Sequence, residues 1–321
     1  MVDDFWQLEI MLNLQHVEAV EQLLWSAGAV SVTFLDAEDN PIFEPDLGTT
    51  PLWVNTKIVA LFDNEDSHRA DVIKTAVIKI TAEDNLQIHY RKLPKQNWER
   101  AWLAEFKPMQ FGQNLWIVPS AYRPPNPDAV NLLLDPGLAF GTGTHPSTFL
   151  CLTWLDANAE LVRGKNIIDY GCGSGVLAIA SLLLGAKSAV GIDIDEQALQ
   201  ASRSNAQRNN LSADKLALFL VDGHNPDNLI IYDNKDQQTS KHQAAQKLEK
   251  ADIVLANILA NPLICLRNNI ARLAKSGAQI VLAGILLEQA SKVIAAYQQF
   301  ASDEIVLLQQ DEWACLSFTT K

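Results

Sequence analysis

The chain has 321 residues and a hydrophobic share of 48%, enough for about two globular cores and too apolar for disorder throughout. Acidic side chains outnumber basic ones by 38 to 25, a formal net charge of -13, and no long basic patch interrupts it; direct nucleic-acid binding is not expected, and a basic protein partner would be attracted. No run of about 20 uncharged apolar residues occurs, so no membrane-spanning helix is expected.

Residues 1–95 read as strand, helix, strand, strand, helix, strand. Trp6, Leu8, Ile10, Leu12 and Leu14 alternate with Gln7, Glu9, Met11, Asn13 and Gln15, mostly the period of two of a strand with one buried face. Val17, Val20, Leu24 and Ala27 fall on one helical face, and Gly28 supplies the stop. Val30, Val32 and Phe34 mark a second strand and Lys57 to Phe62 a third. Ile73, Val77 and Ile80 mark a second helix, and Leu86, Ile88 and Tyr90 alternate again. This order predicts a small α+β domain of split βαβ, ferredoxin-like type.

Residues 96–128 read as a connector, punctuated by Pro108, Pro119, Pro124, Pro125 and Pro127, with an aromatic helix over Asn97-Trp98-Glu99-Arg100-Ala101-Trp102. From 129 to 321, short apolar runs alternate with helical stripes. The strand candidates are Asn166 to Tyr170, Ala189 to Ile194, Leu216 to Val221, Ile253 to Ala256 and Gln279 to Ala283. Leu263, Leu266, Ile270 and Leu273 form one stripe; Leu287, Ala290, Ile294 and Tyr297 form another. The alternation predicts an α/β domain with a mostly parallel, doubly wound sheet of Rossmann-like type. Residues 224–250, rich in Asn, Asp, Gln and Lys, read as a solvated, part-helical insertion without chemistry.

Asp169-Tyr170-Gly171-Cys172-Gly173-Ser174-Gly175 follows the first strand of this unit and precedes an apolar helix, Val176 to Leu184. Glycines at such a turn let backbone approach a ligand closely. A dinucleotide site wants a third small residue at the sixth position of the motif; Val176 stands there instead. Asp193 ends the next strand, about 20 residues on, where a carboxylate accepts both hydroxyls of a ribose. Asp195 is assigned the cap of the following helix. Asp222, after the next strand, is a candidate to face an adenine amino group.

These features resemble class I S-adenosylmethionine-dependent methyltransferases. Two further segments narrow the resemblance: Leu134-Asp135-Pro136-Gly137-Leu138-Ala139-Phe140-Gly141-Thr142-Gly143-Thr144-His145-Pro146-Ser147-Thr148, and Ala256-Asn257-Ile258-Leu259-Ala260-Asn261-Pro262. With Trp98-Glu99-Arg100-Ala101-Trp102 and a small leading domain, they are similar to the ribosomal protein methyltransferase family that modifies large-subunit ribosomal protein eleven. The resemblance implies S-adenosyl-L-methionine as cofactor and a leading domain that recognises substrate. It implies methylation of lysine side chains and the N-terminal amine of one basic ribosomal protein of the large subunit. It also implies that Thr148 contacts the cofactor and that Phe140 covers it, with Gly171, Gly173, Asp193 and Asn257 completing the site.

Many amine-methylating relatives place Asn-Pro-Pro-aromatic where this chain has Asn257-Ile258-Leu259-Ala260, so only the Asn carries over. Its carbonyl is expected to accept a hydrogen bond from the attacking amine; Asn261, before Pro262, is the better helix cap. Thr144 or His145 caps the helix that Pro146 opens. His145 is read first as that cap or a loop-fixing residue and second as a proton acceptor.

Cys151, Cys172, Cys265 and Cys315 show no metal-ligand spacing, so no metal is expected and reduced thiols fit the cytosol. The acidic start Met1-Val2-Asp3-Asp4 is unlike a signal peptide, and a cytoplasmic monomer is expected. An RNA or small-molecule methyltransferase, a nicotinamide-dependent oxidoreductase and a non-catalytic cofactor-binding module remain the alternatives.

Overall fold

A computed structural model describes residues 5–38, 42, 49–63, 68–83, 86–93, 106–135, 143–222, 225–231 and 248–321. The chain divides into two units, Met1–Ala101 and Trp102–Lys321. In the first, β1 (Trp6–Asn13), α1 (Val17–Ser26), β2 (Ser31–Asp36), β3 (Asn55–Phe62), α2 (Arg69–Thr81) and β4 (Ile88–Lys92) follow in that order. The strands form an antiparallel sheet, β2-β3-β1-β4. That is the split βαβ arrangement the alternation predicted. Leu8, Ile10 and Leu12 meet Ile58, Ala60 and Phe62 on one face, under Val20 and Leu24 of α1 and Ile73 and Val77 of α2. Gly28, at φ 88°, ends α1 in the left-handed region.

The second unit is built on an eight-stranded sheet. Its strands are β8 (Asn166–Tyr170), β9 (Ser188–Asp193), β10 (Leu216–Asp222), β11 (Asn225–Ile231), β12 (Ala251–Asn257), β13 (Ala274–Leu286), β14 (Val306–Gln310) and β15 (Trp313–Thr319). They lie in the order β11-β10-β9-β8-β12-β13-β15-β14. The five from β10 to β13 are mutually parallel; β11 at one edge and β15 beside β13 run antiparallel to them, and edge strand β14 pairs antiparallel with β15. Both faces are covered, so neighbouring residues of one strand enter different cores. Ile167, Leu255 and Val281 pack with α3 (Pro146–Ala157), α5 (Val176–Leu183) and α6 (Glu196–Arg208). Short α4 (Ala159–Val162) leads into β8. Ile168, Val254 and Ile280 pack with α7 (Ala260–Cys265), α8 (Arg267–Leu273) and α9 (Ala290–Tyr297).

Several expectations change. The described part of the connector, residues 106–128, carries β5 (Met109–Phe111) and β6 (Leu115–Val118), which join β7 (Val130–Leu133) in a three-stranded sheet. Phe106, Phe111, Leu115 and Ile117 belong to the same core as α3 and α5. Prolines at 108 and 119 bound these strands instead of excluding them. The aromatic helix expected over 97–102 lies outside the described residues. Within 224–250, Asn225–Ile231 pairs antiparallel with β10; residues 232–247 lie outside the described set. The stripe from Leu263 to Leu273 is two helices that meet at Leu266. Among the described residues no helix is long and apolar enough to cross a membrane, and no His, Cys, Asp and Glu group could hold a metal ion.

Tyr297 ties α9 to α7: its buried hydroxyl donates to the Leu263 carbonyl at 2.9 Å. Replacing it with Phe leaves that carbonyl buried without this donor. Tyr297→Phe should therefore lower the unfolding free energy by about 1–3 kcal/mol, seen as a lower urea midpoint with an unchanged m-value.

Candidate active site

The sheet order reverses at β8, which has β9 on one side and β12 on the other. A crevice therefore opens beyond the carboxyl ends of these strands, and Gly171, Asp193 and Asn257 all lie there. The glycine turn is fixed to β9 by backbone bonds: the Gly171 and Cys172 N–H groups both donate to the Ile192 carbonyl, at 2.8 and 3.0 Å. Gly171 takes φ 76°, and a Cβ there would overlap the side chain of Ile258, next to Asn257. A residue other than glycine would be strained and would push this turn from the end of β12.

Asp193 holds the turn from the other side. Its Oδ2 accepts the Gly173 N–H at 2.8 Å and its Oδ1 the Asp195 N–H at 3.0 Å. Each carboxylate oxygen keeps a further acceptor direction, so the group is oriented without being used up. Asp195 caps α6, as expected, by accepting the Gln197 N–H at 2.9 Å. Two supports were missed from the sequence. Ser202 Oγ donates to the Gly173 carbonyl at 2.7 Å, and Asn205 Nδ2 donates to the Ser174 carbonyl at 2.9 Å. Both belong to the buried stripe of α6 with Ala198, Leu199 and Ala206, and polar residues on such a stripe were the available signal.

Asp169 is the buried carboxyl of the site, 1% exposed. Its Oδ2 accepts the Ala178 N–H of α5 at 3.1 Å, and its Oδ1 is buried with no partner. Burial pushes this group up to about 7, against the lowering effect of the Ala178 bond, and the nearby Asp193 charge adds to the rise.

Asn257 ends β12. Its Nδ2 donates to Thr148 Oγ1 at 3.2 Å, which leaves Oδ1 as the acceptor; Oδ1 is buried without a partner. Thr148 is itself fully buried on α3. Gly284, in the left-handed region at φ 77°, lets β13 approach this corner: a Cβ there would stand 2.5 Å from the Ile258 carbonyl oxygen and 3.2 Å from Asn257 Oδ1. Asn261 is not the cap expected of it. It lies inside α7, whose N-cap is Leu259 without a side-chain bond.

His145 is the N-cap of α3. Its Nδ1 accepts the Ser147 N–H at 3.3 Å and lies 2.7 Å from Ser147 Oγ; its ring meets Trp313 edge-on with centroids 4.4 Å apart. Burial lowers its pKa, so the ring stays neutral at pH 7. With Nδ1 accepting, the proton sits on Nε2, and the free lone pair a base needs is already engaged. The capping reading is the one these bonds support. Trp313 was not anticipated, because β14 and β15 were not.

The structure thus brings Thr148, Gly171, Gly173, Asp193 and Asn257 to one end of one sheet. Asp222 ends β10 on the same side, with its side chain outside the described set. Phe140, with the rest of 136–142, also lies outside it. An adenosyl sulfonium fits what is present: a strand-end carboxylate with acceptor directions to spare, a turn with no Cβ at its tightest point, and two buried, unpartnered acceptor oxygens.

The chain matches the family model described as ribosomal protein L11 methyltransferase (PrmA) over residues 4–321. It is 46% identical over 308 residues to the ribosomal protein L11 methyltransferase of Pseudomonas syringae pv. tomato, covering 96% of each chain. The Pseudomonas fluorescens enzyme of that name is 48% identical over 308 residues, again with 96% of each covered. The crystal structure of ribosomal protein L11 methylase from Lactobacillus delbrueckii subsp. bulgaricus superposes with a TM-score of 0.53 at 27% identity, covering 67% of this chain and 98% of that one.

Asp169 carries a pH signature. Its folded pKa is about 7, above the ordinary carboxyl value of about 3.9. Its contribution is therefore full below the ordinary value and lost as pH rises through about 7. Asp169→Asn should melt above the wild type at pH 8, and the gap should narrow steadily toward pH 5 in a series of thermal scans.

Proposed function

The chain belongs to the ribosomal protein L11 methyltransferase family, and on that premise we propose that it transfers methyl groups from S-adenosylmethionine to amines of ribosomal protein L11, lysine side chains and the N-terminal amine among them. The bound cofactor supplies a methyl group on a positively charged sulfur, which leaves without acid assistance. Gly171 and Gly173 offer backbone at close approach, and Asp193 turns its remaining acceptor directions to the ribose hydroxyls. Asp222 faces the adenine amino group. Thr148 lies against the cofactor, and Phe140 covers it.

The observation that carries the reading is the Asn257 amide. Its nitrogen is engaged by Thr148, so its buried oxygen is the end available to an incoming N–H. Accepting that hydrogen bond aims the amine lone pair at the methyl carbon, which is catalysis by alignment. A lysine amine has a reference pKa of about 10.4 and arrives protonated; desolvation in a closed crevice lowers that value, so no strong base is needed.

The substrate is a basic ribosomal protein, to which a chain of net charge -13 is complementary. The domain over 1–95 recognises it, and the domain over 129–321 binds the cofactor. The enzyme works as a cytoplasmic monomer, without direct contact to nucleic acid or membrane.

Incubation with methyl-labelled cofactor and separated ribosomal components should place label on L11; label on RNA alone would overturn the reading. Asn257→Ala should lower kcat by about 100-fold or more while cofactor affinity in calorimetry changes far less. An equal loss of both would remove the aiming role.

A further inference from the structure

Asp169 has no task in the alignment just described, and its surroundings are unusual for a carboxyl group. On β8 it lies between Leu255 of β12 and Gly191 of β9. The ionisable groups around it are Cys151 on α3, Cys172 in the glycine turn and Asp193 at the end of β9. The hydrogen bond with Cys315, together with burial, pushes the Cys151 thiol up; burial pushes up Cys172. Both thiols are neutral. Helix α5, Val176–Leu183, contributes no ionisable side chain, only the Ala178 N–H. Among the described residues, the charge acting on Asp169 is thus the negative one of Asp193.

An ionised carboxylate is costly here, because one oxygen has no partner and a second carboxylate stands nearby. A cation in the crevice reverses that balance. The methyl donor is such a cation at sulfur; the sulfide left after transfer is not.

Resting on the methyl-donor reading of the crevice, we propose that Asp169 is a positioning residue that senses the charge on the cofactor sulfur, ionising when the sulfonium enters and regaining a proton once the sulfide is formed. On entry the Asp169 O–H bond breaks, its electron pair stays on the carboxylate and the proton passes to solvent. After transfer a solvent proton returns to the same oxygen. No oxidant or further reactant is involved. The consequence is selectivity: the carboxylate strengthens the hold on the sulfonium and relaxes it on the spent sulfide, which favours exchange of one for the other between methylations.

The test is titration calorimetry of the full chain at pH 6, below the value of about 7 at which Asp169 loses its proton, with S-adenosylmethionine and with S-adenosylhomocysteine, each in buffers of different ionisation enthalpy. Both ligands carry the same α-amine, so its titration cancels in the comparison. Wild type should release up to about one proton more with the sulfonium than with the sulfide, and its sulfonium affinity should fall as pH drops below 7, approaching about tenfold per unit. Asp169→Asn preserves size and an acceptor for Ala178, and it should abolish both the extra proton and the pH slope. Equal proton release with the two ligands in wild type overturns the inference while leaving the donor reading intact, and this arm needs no variant. Persistence of the difference in a folded Asp169→Asn chain overturns it as well. A wild-type chain that binds neither compound overturns the donor reading and this inference with it.

Discussion

The carboxylate of Asp193 accepts one backbone N–H from the glycine turn and one from the start of the next helix, at 2.8 and 3.0 Å. The first bond fixes the end of β9 relative to the turn after β8, the second orients the carboxylate, and everything else in the crevice is referred to that pair of strands. Hydrogen bonds to an ionised acceptor are shorter and stronger than neutral ones. The turn is thus held in shape before any ligand arrives, with spare acceptor directions on the same two oxygens. Below it, Ser202 and Asn205 take up the Gly173 and Ser174 carbonyls, so the turn is also held by bonds from α6.

Against this well-satisfied turn, two acceptors stand out by lacking partners. Asp169 Oδ1 and Asn257 Oδ1 are both buried without a hydrogen bond. A buried unsatisfied polar atom costs about 1–3 kcal/mol, and a fold retains such atoms where they serve a site. They lie on adjacent strands, β8 and β12, on either side of the point where strand order reverses. Their chemistry differs. Asn257 offers a neutral acceptor suited to an amine N–H, whereas Asp169 can change charge.

The misread stretches share a cause. Residues 106–128 read as connector on the strength of their prolines, yet Phe111, Leu115 and Ile117 are fully buried between those prolines. Strands of three and four residues are too short for periodicity to compete with such punctuation. The strand Val306–Gln310 escaped because nearly all of its residues are exposed, so it has no alternation to read. Trp313 then went unseen as the neighbour of His145, a contact between residues far apart in sequence.

The residues alone determined the order of elements in the first unit, the five parallel strands of the second, and the positions of Gly171, Asp193 and Asn257 at strand ends. Each of these is written in local spacing: a period of two, a glycine cluster after a strand, a carboxylate about 20 residues on. Tertiary structure decided what those residues face. That Asn257 keeps its oxygen as the unengaged end depends on Thr148, 109 positions earlier in the chain. That Asp169 keeps its proton up to about pH 7 depends on burial and on Asp193 at the end of the neighbouring strand. Hydrogen-bond partners and local dielectric are properties of what packs together in space, and no run of neighbouring residues encodes them.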